Sequence, residues 1–316
     1  MFNKKIEKYK SILEEWGRKA VEITDKIILP GPSQISLFQI VQQFWVSITK
    51  GAVDIRAGAV AYSFFLAVFP SILFLFTLIP YIPIDGFQSE LLHLFRDIMP
   101  DKIYEVVENT VLDIAINKRG SLLSFGFFAA LIFSTNGVNT LIKAFNETVH
   151  SLETRNWFAK RAISLVIVIV FSFLISIAIG LIVFSEKIMS LLVSSNVLSS
   201  SITINLLLAG RWIVIVAFFY FATATLYFLA PSRKSNMKFF SPGASTATLL
   251  GILTSLGFSF YIDNFSRYNT LYGSIGTLII LLLWFYINAL VLLVGFELNA
   301  SIANAKKNQI QKSISQ

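Results

Sequence analysis

Six long apolar stretches dominate the pattern of hydrophobic and polar positions along the chain. Each has at least about 20 residues, the length that an α-helix needs to cross the roughly 30 Å hydrocarbon core of a bilayer. Backbone amides in lipid must be bonded within their own segment, so uninterrupted runs of this length predict helices and not the short alternating strands of a barrel. We therefore predict an all-α membrane protein, a bundle of six transmembrane helices. The predicted spans are 57–80, 122–149, 162–184, 206–230, 243–262 and 274–303.

The segments outside these spans carry amphipathic patterns. Residues 4–28 have apolar side chains at helical spacing, and two prolines interrupt the pattern before a second amphipathic stretch that Ser33 is placed to cap. Residues 81–120 form a long loop with two apolar-faced segments divided at Pro100, and residues 185–201 predict a short surface helix and a turn. The expected organisation is an interfacial region (1–56), a membrane domain (57–303) that includes the helical loop 81–120, and a basic tail (304–316).

Composition agrees with a membrane chain, and the charge distribution orients it. Hydrophobic residues make up 55% of the chain and charged residues 14%, against about a quarter charged in a soluble domain. The net charge of +8 gathers on the side that holds both termini, whereas acidic residues outnumber basic ones in the loop 81–120. Because basic loops stay in the cytoplasm, we expect both termini there. The sequence has no signal-peptide pattern, so the first span is expected to act as the targeting signal. Membrane topology explains the excess of basic residues, so we expect no nucleic-acid partner.

Polar side chains inside the apolar segments are the candidate functional residues, because such groups are costly in lipid. In the second span, Asn136, Asn139, Lys143 and Glu147 recur at three- and four-residue spacing, which places them in one stripe along a helix. Two interpretations are open: the stripe lines a hydrated cavity, or it forms hydrogen bonds between helices. Asn288 in the sixth span belongs to the same set.

Glu297 lies deep in the sixth span, near the membrane boundary that Ala303 is expected to mark. The functional interpretation is a site for a proton or a lipid headgroup. The structural interpretation is an ion pair with Lys143 or Arg56, or a helix-end residue that reaches the interface. Pro70 falls in the middle of the first span, where it is expected to kink the helix and help to shape a cavity.

The residues available for chemistry argue against an enzyme. The chain has two histidines and no cysteine. His93 and His150 are expected on opposite sides of the membrane, so they cannot share a metal ion. The sequence also lacks a phosphate-binding loop ending in Lys-Ser/Thr and a Gly-x-Ser-x-Gly elbow. We therefore expect no catalytic residues, no metal and no cofactor.

Three blocks of sequence have the order and spacing of a known family. The first runs from RAGAVAYSFF at residues 56–65 to Pro70, the second from TNGVN at 135–139 through AFNE at 144–147 to Arg155. The third includes YFLAP at 227–231, SPGA at 241–244, GSIG at 273–276, LWFY at 283–286 and GFELNA at 295–300. Together they resemble the YihY/BrkB family of bacterial inner-membrane proteins, once labelled ribonuclease BN. The resemblance covers about residues 40–303, and Ser63 stands where the family often has a second aromatic residue.

Small residues in these blocks are interpreted as positions where helices pack closely, and Tyr62 in the first block is grouped with them as a packing residue. The small residues are Gly58, Ala61, Gly243, Gly251, Gly273 and Gly276.

The resemblance implies a protein of the bacterial cytoplasmic (inner) membrane with six helices and both ends in the cytoplasm. For members of the family, envelope integrity and the transport of lipid or lipopolysaccharide have been proposed. Two functions are therefore open for this chain. One is a transporter or flippase-like protein for a lipid or other amphipathic envelope component. The other is a non-transporting envelope scaffold that recruits partner proteins. Membrane lipids are expected partners in both cases, and envelope proteins in the second.

Overall fold

The protein is described by a computed structural model that covers residues 36–81, 117–147, 155–194, 200–232, 238–264 and 274–314. The predicted helix over residues 4–28 and most of the loop 81–120 lie outside these ranges. Within them the chain is helical, and a short 3-10 turn, Ile79–Tyr81, follows the second helix. The helices are α1 Leu37–Lys50, α2 Val53–Leu78, α3 Gly120–Asn146, α4 Trp157–Ser194, α5 Ser200–Leu229, α6 Pro242–Asn264 and α7 Ser274–Ile314.

Six of these helices, α2 to α7, are long and apolar enough to cross a membrane. Their outward surfaces carry large apolar side chains, such as Phe173 at 65% exposed and Phe260 at 73%. Contiguous apolar surface of this kind is unfavourable in water and normal in lipid. The prediction of an all-α membrane protein with six spans is therefore confirmed.

Three helix boundaries differ from the prediction. The last helix does not end near Ala303 but continues to Ile314, because residues 304–314 contain neither proline nor glycine and pack against α1 through Ala305 and Ile40. Helix α4 likewise runs without a break to Ser194, so the expected separate surface helix after residue 184 is part of α4. The N-cap of α1 is Ser36, whose side chain accepts a hydrogen bond from the Gln39 amide at 3.3 Å. The predicted cap, Ser33, lies outside the described residues.

The six long helices pack as a ring in chain order. Each of α2 to α6 contacts the next helix in the sequence, and α7 returns to α2, so the ring closes. Helices α3 and α7 also touch across the ring, and α1 lies against α7. Consecutive helices of a chain are usually neighbours in space, which favours this arrangement.

The packed core sits at one end of the ring, which we call the closed end. It is defined by Phe145 near the end of α3, Tyr227 near the end of α5 and Phe296 on α7. The rings of Phe145 and Phe296 stack with centroids 4.5 Å apart, and Tyr227 meets both at 5.6 Å and 5.8 Å. All three side chains are almost fully buried, so aromatic packing joins three helices that are distant in sequence.

Burial falls away toward the other end of the ring, which we call the open end. It contains the beginnings of α3 and α7 and the ends of α2, α4 and α6. Among the side chains that the structure describes, none in α4 after Ile167 is buried, and none in α6 after Gly251. In α7 none is buried from Leu278 to Asn288. The α2–α3 pair stays tightly packed there, where Gly126 lies against the Phe74 backbone, and Phe258 on α6 contacts Trp284 on α7 with ring centroids 4.9 Å apart.

Candidate functional site: a buried ion pair at the closed end

An ion pair between α2 and α7 is buried at the closed end. The turn after α1 starts α2 at Val53, which places Arg56 in the first turn of α2. Nη2 of Arg56 lies 2.6 Å from Oε1 of Glu297. Its Nη1 donates to the carbonyl oxygen of Ala144 on α3 at 2.5 Å. Glu297 is 0% exposed and Arg56 7%, so one guanidinium group joins α2, α3 and α7 away from solvent.

Helix α1 completes the site. The hydroxyl of Ser47, a fully buried residue, hydrogen-bonds the Glu297 carboxyl group. Gly51 follows α1, and a Cβ there would clash with the Ser47 carbonyl oxygen and lie 3.0 Å from Nη2 of Arg56. Ala52 next to it has a φ of 45°, a left-handed conformation that costs about 1–2 kcal/mol for a residue with a side chain. The turn therefore holds a strained residue where it brings α1 and α2 around the ion pair.

The electrostatics of this site make it sensitive to change. Removing a charge pair from water costs several kcal/mol, and the pair offsets this only while both partners are held in place. Arg56 and Glu297 are the two charged residues that are buried within the described ranges. Nε of Arg56 and Oγ of Ser301 are also buried, and within those ranges neither has a hydrogen-bond partner. Unpartnered buried atoms of this kind are typical of sites that admit water or a polar group.

The structure separates the predicted polar stripe from this site. Asn136 and Lys143 on α3 and Glu147 just after it are exposed, and Asn139 is half-buried, while the face of α3 with Phe145 forms the core. Oδ1 of Asn136 accepts a hydrogen bond from Nη1 of Arg161 on α4 at 2.5 Å, so this member of the stripe does join two helices. Of the two partners expected for Glu297, Arg56 is therefore the one present.

Two other predicted residues have local roles. Asn288 is half-buried and donates to the carbonyl oxygen of Trp284 within α7 at 2.9 Å. Pro70 lies inside α2, which continues beyond it to Leu78.

Two asparagines that sequence reasoning did not single out hold the loops of the closed end. Asn146 donates to the carbonyl oxygen of Ala230 at 3.0 Å and accepts from the amide of Ser232 at 2.8 Å. Arg155 donates to the same Ala230 oxygen at 2.5 Å. Asn146 is 1% exposed, so a buried amide fixes the end of α5. In the sequence, Asn146 is marked only by its place in the AFNE block at 144–147. Nothing in the sequence shows that it contacts the loop at residues 230–232.

Asn299 has the matching role at the start of α6. Its Oδ1 accepts from the amide of Gly243 at 2.8 Å, and its Nδ2 donates to Oγ of Ser241 at 2.9 Å. Because the first amides of a helix have no partner within the helix, this side chain satisfies one of them from a neighbouring helix. The contact places the start of α6 directly against α7.

Close helix packing is concentrated where α6 crosses α7. A Cβ on Gly243 would clash with the Gly295 carbonyl oxygen, and a Cβ on Gly295 would lie 2.6 Å from the Tyr227 hydroxyl and 2.7 Å from Cβ of Ala247. The close-packing interpretation is confirmed for Gly243. It is corrected for Gly58, where a Cβ would meet nothing within 4 Å, and for Tyr62, which is 59% exposed.

Three further glycines are also predicted to lie where helices pack closely. Gly251 has only ordinary contact distances to Phe219. Gly276 is buried, and Gly273 lies outside the described residues.

Fold and site together define the class of this protein: it is a multi-pass α-helical membrane protein whose helices are tied by buried polar contacts at one end. The sequence model of the family described as "Virulence factor BrkB" matches residues 44–316, and the chain belongs to that family. The resemblance found in the sequence is thereby confirmed.

Curated relatives cover most of the chain. It is 33% identical to the "putative ribonuclease-like protein YfkH" of Bacillus subtilis (strain 168) over 80% of this chain and 90% of that protein. It is 26% identical to a UPF0761 membrane protein of Haemophilus influenzae (strain 86-028NP), over 82% and 93% of the two chains. For a UPF0761 membrane protein of Vibrio campbellii the identity is 26%, over 86% and 83%. No solved structure matches.

The word ribonuclease belongs to the name of one relative. Across the ranges described here, the structure brings together no group of three His, Asp or Glu residues that could hold a metal ion. The relatives from Haemophilus influenzae and Vibrio campbellii are named only as membrane proteins.

Proposed function

We propose that this protein is a transporter or flippase-like protein that moves a lipid or another amphipathic envelope component across the membrane. The path is the interior of the helix ring, and the gate is the site around Arg56 and Glu297. The observation that carries this proposal is the gradient of burial: among the side chains that the structure describes, a packed core lies at the closed end and few are buried toward the open end.

An amphipathic substrate has two requirements, and the ring offers both. Its acyl chains need room beside apolar side chains, which the loosely packed open end supplies. Its headgroup needs polar contacts at membrane depth, because charged groups are costly in hydrocarbon. The buried pair of Arg56 and Glu297 is the polar group that a headgroup or a coupled proton would meet at the closed end.

Opening the gate requires α1 and α2 to separate from α7. The contacts that must break include the Arg56–Glu297 pair, the hydrogen bond from Ser47 and the packing of Ile40 against Ala305. Separating the helices would expose Nε of Arg56 and Oγ of Ser301. Neither atom would lose a hydrogen bond to a described residue. This supports a site that can exist in two arrangements, as alternating access demands.

Orientation and membrane are part of the proposal. The closed end faces the cytoplasm of a bacterium, and the protein lies in the cytoplasmic (inner) membrane. Basic residues support this orientation, since exposed Lys50, Lys306 and Lys307 lie at the closed end.

The chain has no cysteine, so single-cysteine variants give a direct test of this orientation. A membrane-impermeant maleimide should label Lys118→Cys on intact cells, and Lys306→Cys only after the cells are permeabilised. The opposite result would reverse the orientation.

Transport is tested with purified protein in liposomes that contain fluorescent phospholipids. The wild type should speed the loss of protected inner-leaflet fluorescence after an impermeant quencher is added, and Glu297→Gln should alter that rate. Glu147→Gln, a matched change at an exposed glutamate, should leave the rate unchanged. If folded wild-type protein does not exceed empty liposomes with phospholipids or with lipopolysaccharide, transport is rejected. A non-transporting envelope scaffold then becomes the working function.

A further inference from the structure

We propose that the groove between the middle of α3 and the beginning of α4 is a binding site for an anionic glycerophospholipid. An acyl chain lies along the groove, and the phosphate group meets Arg161. The site is on the outer surface of the ring, and the proposal does not rest on transport. The groove has a volume of about 320 Å³. Its lining residues are Leu131, Ile132, Thr135, Trp157, Phe158, Arg161, Ala162 and Leu165.

The groove wall is suited to an acyl chain. It is apolar apart from Thr135 and Arg161, and Thr135 directs its hydroxyl to the carbonyl oxygens of its own helix. Phe158 is 76% exposed and Ile132 50%. Both lie on helices long enough to span a membrane, where exposed apolar side chains contact lipid tails.

Arg161 is the residue that recognises the headgroup. Its Nη1 donates to Oδ1 of Asn136 at 2.5 Å, which fixes the guanidinium group at the edge of the groove. A guanidinium group has five N–H donors in a planar fork, so further donors are available after this bond. That fork matches two oxygens of a phosphate group.

The charges around Arg161 favour an anion. Lys143 is exposed two turns beyond Asn136, on the same face of α3 and nearer the closed end. Glu147, one turn past Lys143 and just beyond the end of α3, is the acidic residue nearby, so the two basic groups of Arg161 and Lys143 face one carboxylate.

The depth of the groove matches the headgroup level of a bilayer. Trp157 begins α4, is 63% exposed and packs edge-on against Phe158 at 4.9 Å. Exposed tryptophans at the ends of spans mark the membrane interface. An acyl chain that enters the groove beside Trp157 therefore has its phosphate group within the reach of Arg161. A zwitterionic lipid would bring its own cation toward Arg161 and Lys143, so an anionic headgroup is preferred.

Quenching of tryptophan by brominated lipids tests the site directly, because the chain has five tryptophans. A variant that keeps only Trp157, with the other four changed to Phe, is reconstituted in mixtures of phosphatidylcholine and brominated phosphatidylglycerol. We expect phosphatidylglycerol to be preferred at Trp157, by about fivefold for each basic side chain that contacts it. Arg161→Gln should lower the preference by about that factor, and Lys143→Gln should lower it further.

Two controls separate a site from general attraction to a basic protein. A variant that keeps only Trp212, which is 45% exposed on α5, should report no preference. Lys306→Gln, outside the groove, should leave the preference at Trp157 unchanged. The proposal is overturned if Trp157 and Trp212 report the same preference, or if Arg161→Gln has no effect.

Native mass spectrometry provides a measurement that does not depend on the tryptophan changes. Protein with all its tryptophans should retain phosphatidylglycerol over phosphatidylcholine, and Arg161→Gln should reduce this selectivity. Equal retention of the two lipids by the wild type would also overturn the proposal.

Discussion

Arg56 and Glu297 stand 241 positions apart in the chain, and their side chains meet at 2.6 Å. The contact joins the first turn of α2 to the middle of α7, and the same guanidinium group reaches α3 through the carbonyl oxygen of Ala144. Three of the six spans are thus held by one buried cation. The stability of the closed end therefore depends on both charges being present together.

Breaking this pair from one side should be strongly destabilising. Glu297→Leu leaves the Arg56 cation buried without its partner, and we expect a loss of about 3–5 kcal/mol in the free energy of unfolding. Arg56→Met should cost a similar amount. The double variant should lose less than the sum, because apolar replacement of a whole buried pair is often nearly neutral. Denaturant unfolding in detergent, arranged as a double-mutant cycle, measures the coupling.

The control for this cycle is Glu147→Gln, which changes an exposed carboxylate on α3. Its effect should stay within about 0.5 kcal/mol, as for most surface substitutions. Additive losses for Arg56→Met and Glu297→Leu would mean that the two groups are not coupled in the folded protein.

Alanine at the α6–α7 crossing should prevent normal packing. In Gly243→Ala the new Cβ would clash with the Gly295 carbonyl oxygen and lie 2.6 Å from the Asn299 side chain. The clashing oxygen belongs to the backbone, so it can move only if its whole helix moves. We therefore expect a loss of about 1–3 kcal/mol or more in the free energy of unfolding, as for overpacked cores. Thermal stability in detergent, followed by size-exclusion chromatography, is the measurement.

Gly58 and Gly257 are the matched controls, because a Cβ at either position meets nothing within 4 Å. Both lie inside helices, where alanine is more favourable than glycine by about 1 kcal/mol. Gly58→Ala and Gly257→Ala should therefore be neutral or stabilising. Equal damage from Gly58→Ala and Gly243→Ala would contradict the packing described for this crossing.

The loop after α5 should depend on Asn146. In Asn146→Leu the Ser232 amide loses its acceptor and the Ala230 carbonyl oxygen loses one donor. Leaving such groups unpaired costs about 1–3 kcal/mol. Hydrogen exchange at residues 230–232 should speed up with the loss of stability. Asn139→Leu, a change to a half-buried asparagine on the same helix, should leave that exchange unchanged. If both variants behave alike, the loop is held by other contacts.

The sequence was sufficient for the membrane class, because span length and apolar content follow from the thickness of the bilayer alone. The order of the helices in the ring and the contacts between them could not be predicted from the sequence. The spacing of Asn136, Asn139, Lys143 and Glu147 predicts a stripe along one helix, but the neighbour that this face meets could not be assigned from the sequence. The structure turns it away from the Phe145 core and toward α4, where Arg161 contacts Asn136.

Two kinds of error have a common physical cause. The end of α7 was placed near Ala303 because polarity rises there, yet a helix continues wherever no residue breaks it and a neighbour covers it, as α1 does. Gly58 was interpreted as a packing residue and Gly295 was not singled out, because a glycine's sequence context does not show what lies opposite. The end of α7 and the packing at a glycine both depend on tertiary contacts, which the periodicity of a sequence does not show.

The hydroxyl of Tyr227 should contribute modestly to stability. It donates to the Leu292 carbonyl oxygen at 2.6 Å, so Tyr227→Phe should cost about 1 kcal/mol, the net value of one hydrogen bond, while its ring packing with Phe145 and Phe296 stays intact. The exposed Tyr62→Phe is the matched control and should be neutral. Thermal unfolding in detergent compares the two variants.

A second arm combines Tyr227→Phe with Gly295→Ala. The new Cβ of Gly295→Ala would approach the Tyr227 hydroxyl at 2.6 Å, but also Cβ of Ala247 and the Gly243 carbonyl oxygen, each at 2.7 Å. Removing the hydroxyl relieves one of these three contacts, so the double variant should remain clearly destabilised. Full recovery in the double variant would show that α6 can move away from α7, and that the crossing is looser than its glycines imply.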